Sequence, residues 1–140
     1  MDSLFEADVN YLAVVLATIA AQLLGFLWYA RLFDEAWVSA RAIDLSKEED
    51  PGPVVYLVPL LCAVLIVYSL ARLVDMTGAD SVGDCIAIAA FAWVGFAATV
   101  QLTQINFSEA KVNRLQTFLI EGGYILACFL ITGAILGAFQ

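Results

Sequence analysis

Histidine is absent from the 140 residues. That removes the side chain most often used as a general base or metal ligand near neutral pH. Cysteine is sparse: Cys62, Cys85 and Cys128 stand singly, with no Cys-x-x-Cys pair and no zinc spacing. No glycine-rich phosphate loop and no nucleophile elbow occurs. Charge is the third shortage. Charged residues make up 14% of the chain, against about 25% in an ordinary soluble domain. Lysine occurs only at Lys47 and Lys111. These shortages argue against an enzyme, a metal centre or a bound cofactor. Nucleic acid is not an expected partner either, because no basic stripe is present. The acids Asp75, Asp80 and Asp84 read as a solvated loop in preference to a cation site.

What the chain does have is apolar length. Hydrophobic residues make up 63% of it, and mean hydropathy is +0.90. Four runs stand out: Val9 to Ala30, Val54 to Ala71, Cys85 to Ser108 and Leu115 to Phe139. A span needs about 20 predominantly apolar residues, and only a helix satisfies its own backbone in lipid. The expected fold is an all-α membrane protein of one domain, with spans at about 9–30, 54–71, 85–106 and 115–139. Short links make sequential helices antiparallel neighbours in a four-helix bundle. The opening, Met1 to Asp8, is acidic, so the first run reads as a retained span and not a cleaved signal. Pro59 is expected to kink the second helix near its start.

The first loop, residues 31–52, is the longest. Asp34 to Ile43 predicts a short amphipathic helix with Trp37, Ala40 and Ile43 on one face, lying in the membrane interface. Ser46-Lys47-Glu48-Glu49 fits a capping box. The basic residues set the orientation. Arg31, Arg41, Lys47, Lys111 and Arg114 fall in loops one and three, and only Arg72 falls on the other side. The positive-inside rule then places those loops in the cytoplasm, both termini outside, and the chain in the cell membrane. The net charge is −8. An acidic, lysine-poor surface suits the high-salt cytoplasm of a halophilic archaeon, and an ordinary acidic protein has the same signature.

Helix contacts in lipid depend on small residues. Ala13, Ala17, Ala21 and Gly25 form a stripe at a spacing of four. Gly133 and Gly137 form a second, on the fourth helix. Both read as packing within one chain, and the fourth-helix pair is alternatively a contact between copies. Trp28, Tyr29 and Trp37 read as an interfacial aromatic belt. Trp93 lies deeper, and its indole N–H needs an acceptor.

Glu121 is the one acid inside an apolar run. An ionisable group within a span is costly and marks a site. Helical rise puts it about 10 Å deep, and Gln22, Gln101 and Gln104 at roughly 7–13 Å from the same face. These form a one-sided polar layer. Glu121 is read either as a structural carboxylate, held neutral or paired with Arg31 or Arg114, or as a cation, proton or ligand site. The small-residue stripes and the polar layer leave two functions open. One is a non-catalytic oligomeric subunit or a module binding lipid or a partner, with membrane lipids, a second copy or another membrane protein as partners. The other is a small transporter or oligomeric channel built on Glu121.

Certain stretches resemble a known family. Val9-Asn10-Tyr11-Leu12-Ala13-Val14 is followed by Gly25-Phe26-Leu27-Trp28-Tyr29 and then by Phe33 and Trp37. Trp93-Val94-Gly95-Phe96, Gly123-Tyr124 and Gly133 to Gly137 follow in order. The whole resembles the bacterial and archaeal membrane proteins grouped as domain of unknown function 1761. Arg31 stands near where that pattern has proline, and Glu121 where it has asparagine. The resemblance implies a four-helix membrane domain and no particular activity.

Overall fold

Uncharged runs of this length fold as helix, and the computed structural model, which describes residues 8–140, is helical throughout with no strand among the described residues. The acidic opening at residues 1–7 lies outside the described residues. Four helices are long and apolar enough to cross a membrane: 11–32, 54–77, 82–106 and 114–138. The first comprises α1 (Tyr11–Leu27) and a π-helical turn at Trp28–Leu32. A short helix, α2 (Asp34–Arg41), and a 3-10 turn at Leu45–Lys47 follow. Next is α3 (Val54–Thr77). The third long helix is α4 (Val82–Ala92), a π-helical stretch at Trp93–Ala98, and α5 (Thr99–Asn106). The last is α6 (Arg114–Ala138).

Local chemistry sets most boundaries. Asn10 caps α1 by accepting from the Leu12 and Ala13 amides, and Asn113 caps α6 by accepting from the Gln116 amide. Helix α3 extends beyond Ala71, through Arg72 and Asp75. Arg72 stays close to the helix surface, with its Nε donating to Tyr68 Oη at 3.0 Å and its guanidinium over the Tyr68 ring. Gly78, at φ 66°, then stops the helix with a Schellman pair of hydrogen bonds. Pro59 lies inside α3, which remains helical along its whole range. The capping-box reading of Ser46 to Glu49 is corrected. Asp44 is the cap, its Oδ1 accepting from both the Ser46 amide and the Ser46 hydroxyl. That aspartate closes a 3-10 turn two residues before a box could form.

Glycine fixes the tightest packing. A Cβ on Gly133 would stand 2.8 Å from the Cys85 carbonyl oxygen, and one on Gly137 would stand 2.6 Å from Val82 Cα. The fourth-helix stripe therefore faces α4 of the same chain, and that face is not free for another copy. Ala13 and Ala17 are fully buried in a core shared with Val67, Leu70, Val74, Phe129 and Leu136. All the α3 residues in that core come from its second half. In its first half Val54, Tyr56, Leu57, Leu61 and Leu65 are exposed.

Two hydrogen bonds from backbone amides mark the ends of the molecule. The Asn113 amide donates to the Ala40 carbonyl at 2.8 Å, joining the first and third loops. The Asp8 amide donates to Asp75 Oδ2 at 3.2 Å, joining the start of α1 to the end of α3. The candidate site lies at the first of these ends.

Candidate functional site: an ion pair that fastens helix α2

The sequence between Phe33 and Ala42 folds as helix α2, and its C-terminal side faces α6. Trp37 and Arg41 are four residues apart, so they share a face. Both reach Glu121. Arg41 donates Nε to Glu121 Oε1 and Nη2 to Oε2, each at 2.5 Å. Trp37 Nε1 donates to Oε1 at 2.9 Å. The carboxylate thus accepts three hydrogen bonds, two of them a bidentate pair from the guanidinium and one from the indole. Its side chain is 13% exposed and that of Arg41 is 37% exposed. The hydrogen bond to Glu121 is the main influence raising the Arg41 pKa above its ordinary value, and partial burial works in the other direction. Arg41 is therefore the guanidinium that reaches Glu121, where the sequence reading named Arg31 and Arg114. Arg114 Nη2 instead donates to the Ser108 carbonyl at 3.1 Å. Arg31 is exposed and lines a separate, more open pocket of about 410 Å³ with Asp34 and Glu35.

The end of α2 is built to hold Arg41 there. Ala42 adopts φ 53°, the one non-glycine residue at positive φ among the described residues. It completes a Schellman motif in which the Ala42 amide donates to Ser39 and the Ile43 amide to Val38. The Ala40 carbonyl, one of the four left over at a helix end, is taken up by the Asn113 amide.

Aromatic side chains pack beside the pair. Tyr29 lies edge-on to Trp37 at 5.4 Å and to Tyr124 at 5.2 Å. Trp28 stacks obliquely on Phe33 at 4.7 Å, and its Nε1 donates to the Ile120 carbonyl at 2.9 Å. Trp28, Tyr29 and Trp37, the residues of the expected aromatic belt, are all three half-buried between α1, α2 and α6. An indole N–H needs an acceptor when it leaves water, and Ile120 and Glu121 supply two.

Beside the ion pair is a cavity of about 120 Å³ lined by Arg41, Gln101, Gln104, Ile105, Ser108 and Glu121. The structure thus brings Glu121, Gln101 and Gln104 together. Gln22 is half-buried on α1 and is not part of the lining. Arg41 and Ser108 were missed as site residues. The signal for Arg41 was its four-residue offset from Trp37, and Ser108 gave none. Gln101 Oε1 is buried without a hydrogen-bond partner, as are Trp93 Nε1 and Thr117 Oγ1. Thr117 is four residues before Glu121 on the same face of α6. No group of three or more metal-ligating side chains occurs among the described residues.

A chain whose described residues are helical, with four helices long enough to cross a membrane and a part-buried ion pair between a loop helix and the last of them, defines the class. The family model described as protein of unknown function (DUF1761) matches residues 12–137, and the chain belongs to this family. No curated protein and no solved structure matches it. Six of the residues that carry the family resemblance meet in the aromatic cluster: Gly25, Trp28, Tyr29, Phe33, Trp37 and Tyr124.

Proposed function

We propose that the protein is a non-catalytic binding module of the cell membrane. In this reading the four long helices form an antiparallel bundle with both termini outside. Helix α2 lies at the cytoplasmic interface, and the cavity beside it receives a lipid or small-solute partner. One observation carries the proposal: Glu121 is held by Arg41 and Trp37 through three hydrogen bonds. That arrangement positions a helix over a polar cavity. It does not leave the carboxylate free to exchange protons or cations, as transport through Glu121 would require.

The far half of the molecule supports the same reading. Thr18 Oγ1 there donates to the Val14 carbonyl of its own helix at 2.8 Å, so its hydroxyl is spent locally. A pore would need polar lining throughout. The exposed first half of α3 faces lipid, and a second copy or another membrane protein would dock along it.

Native mass spectrometry of the protein released gently from its own membranes tests the proposal. A retained lipid or solute, lost in Arg41→Gln, is the expected result. Proton or cation flux in liposomes that Glu121→Gln abolishes would replace the module with a transporter.

A further inference from the structure

The lining of the 120 Å³ cavity specifies its ligand, if the binding-module reading holds. Arg41 and Glu121 are its only charged members, and they are paired with each other. Their charges cancel at short range. A phosphate or carboxylate entering the cavity would meet Glu121, and an ammonium would meet Arg41. Neither sign of charge gains.

The polar groups left over are of mixed character. The Arg41 guanidinium has five N–H donors and spends two on Glu121. Gln101, Gln104 and Ser108 each both donate and accept. Gln101 Oε1 is already buried with no donor opposite it. A buried acceptor left so is costly, and a ligand that offers only lone pairs cannot satisfy it. The ligand must therefore carry hydroxyl-type groups that donate and accept together. Ile105, 4% exposed, supplies one apolar wall for a carbon skeleton. Size limits the choice further, since an engineered cavity of about 150 Å³ holds benzene, with six non-hydrogen atoms.

We infer that this cavity binds a neutral polyol of glycerol size, either free in solution or carried as the headgroup of an uncharged lipid.

The test uses the whole chain in phosphatidylcholine nanodiscs. The lipid-borne probe is monooleoylglycerol, counted by native mass spectrometry. The free probe is glycerol, read by saturation-transfer NMR. Retention of one monooleoylglycerol per chain supports the headgroup source, and saturation transfer to glycerol without a lipid adduct supports the free source. Gln101→Leu should reduce either signal at least tenfold. Gln104→Leu, at an exposed position that the fold does not depend on, should reduce it several-fold, and Gln140→Leu at the other end should not change it. Binding of neither probe overturns the inference, as does a signal unchanged in both Gln101→Leu and Gln104→Leu. Preferential retention of oleoyl phosphatidic acid or of stearylamine overturns the ligand class and leaves the binding module standing. Failure to retain anything from the native membrane removes the module itself.

Discussion

Tyr124 lies across Gly25. Its hydroxyl donates to the Ala21 carbonyl at 3.2 Å, and a Cβ at position 25 would stand 2.8 Å from the Tyr124 hydroxyl oxygen. The pair joins α6 to α1 beneath the aromatic cluster. It also explains why two distant motifs of the sequence belong together.

The glycines should rank by what faces them. Gly133→Ala and Gly137→Ala drive a methyl into the backbone of α4, and overpacking of this kind costs about 1–3 kcal/mol. Gly25→Ala meets the end of a side chain and should cost less. Gly95→Ala meets nothing within 4 Å and should be neutral or stabilising by up to about 1 kcal/mol. Thermal unfolding in detergent, followed by tryptophan fluorescence, checks the order. Equal losses at Gly95 and Gly133 would contradict the packing described.

The ion pair should show strong coupling. Arg41→Met alone leaves a mostly buried carboxylate with one donor, and Glu121→Gln alone leaves a guanidinium without its counter-charge. A double-mutant cycle should give an interaction of about 1–3 kcal/mol, the upper range for contacting residues, with the exposure of Arg41 holding it there. Arg41→Lys keeps the charge, loses the fork and should recover less than half. A coupling near zero would mean that α2 is held by packing alone.

Two tryptophans offer an internal comparison. Trp28→Phe loses a hydrogen bond to a neutral carbonyl, worth about 0.5–1.5 kcal/mol. Trp37→Phe loses one to a carboxylate, worth about 1.5–3 kcal/mol. Trp37→Phe should be the more destabilising, as chemical denaturation in mixed micelles would show. The reverse order would remove Trp37 from the site.

Asp44 gives a pH dependence outside the long helices. Donation from the Ser46 hydroxyl, and then from its amide, holds the Asp44 carboxyl below its ordinary value of 3.8. A lowered folded-state pKa stabilises the turn above the ordinary value, and that gain is lost as pH falls through the lowered one. Ser46→Ala should raise the Asp44 midpoint toward 3.8, as carboxyl NMR titration would show. An unmoved midpoint would place the cause elsewhere.

Ala42 tests the end of α2. An L-residue in the left-handed region costs roughly 1–2 kcal/mol, and glycine's extra freedom in the unfolded chain returns about 0.4–1 kcal/mol of that. Ala42→Gly should therefore stabilise slightly, and Ala42→Val should destabilise clearly. Melting temperatures of the two variants decide.

The four long helices were legible because apolar length alone dictates them. Glu121 was legible as a site because it is the one acid inside an apolar run. Its partner was not. Arg31 and Arg114 are nearer the ends of long helices, but Arg41 reaches Glu121 because α2 folds back over α6, a tertiary event with no periodic signal. The inward turn of Trp28 and Trp37 was hidden for a related reason. A tryptophan near a helix end looks the same in sequence whether its N–H meets water or a buried carbonyl. The family motifs gave order along the chain, and only the fold brought Gly25 and Tyr124 into contact.

The π-helical stretch at Trp93–Ala98 amounts to one residue of surplus chain in the third long helix. A helix carrying such a surplus can lose a residue there and stay a helix. Because the bulge absorbs the extra residue, everything beyond keeps its direction, and Gln101, Gln104 and Ser108 stay at the cavity. A single-codon deletion elsewhere in the same helix would instead turn those three side chains by about 100°, so this one place is where the helix can change length and still present the same cavity wall.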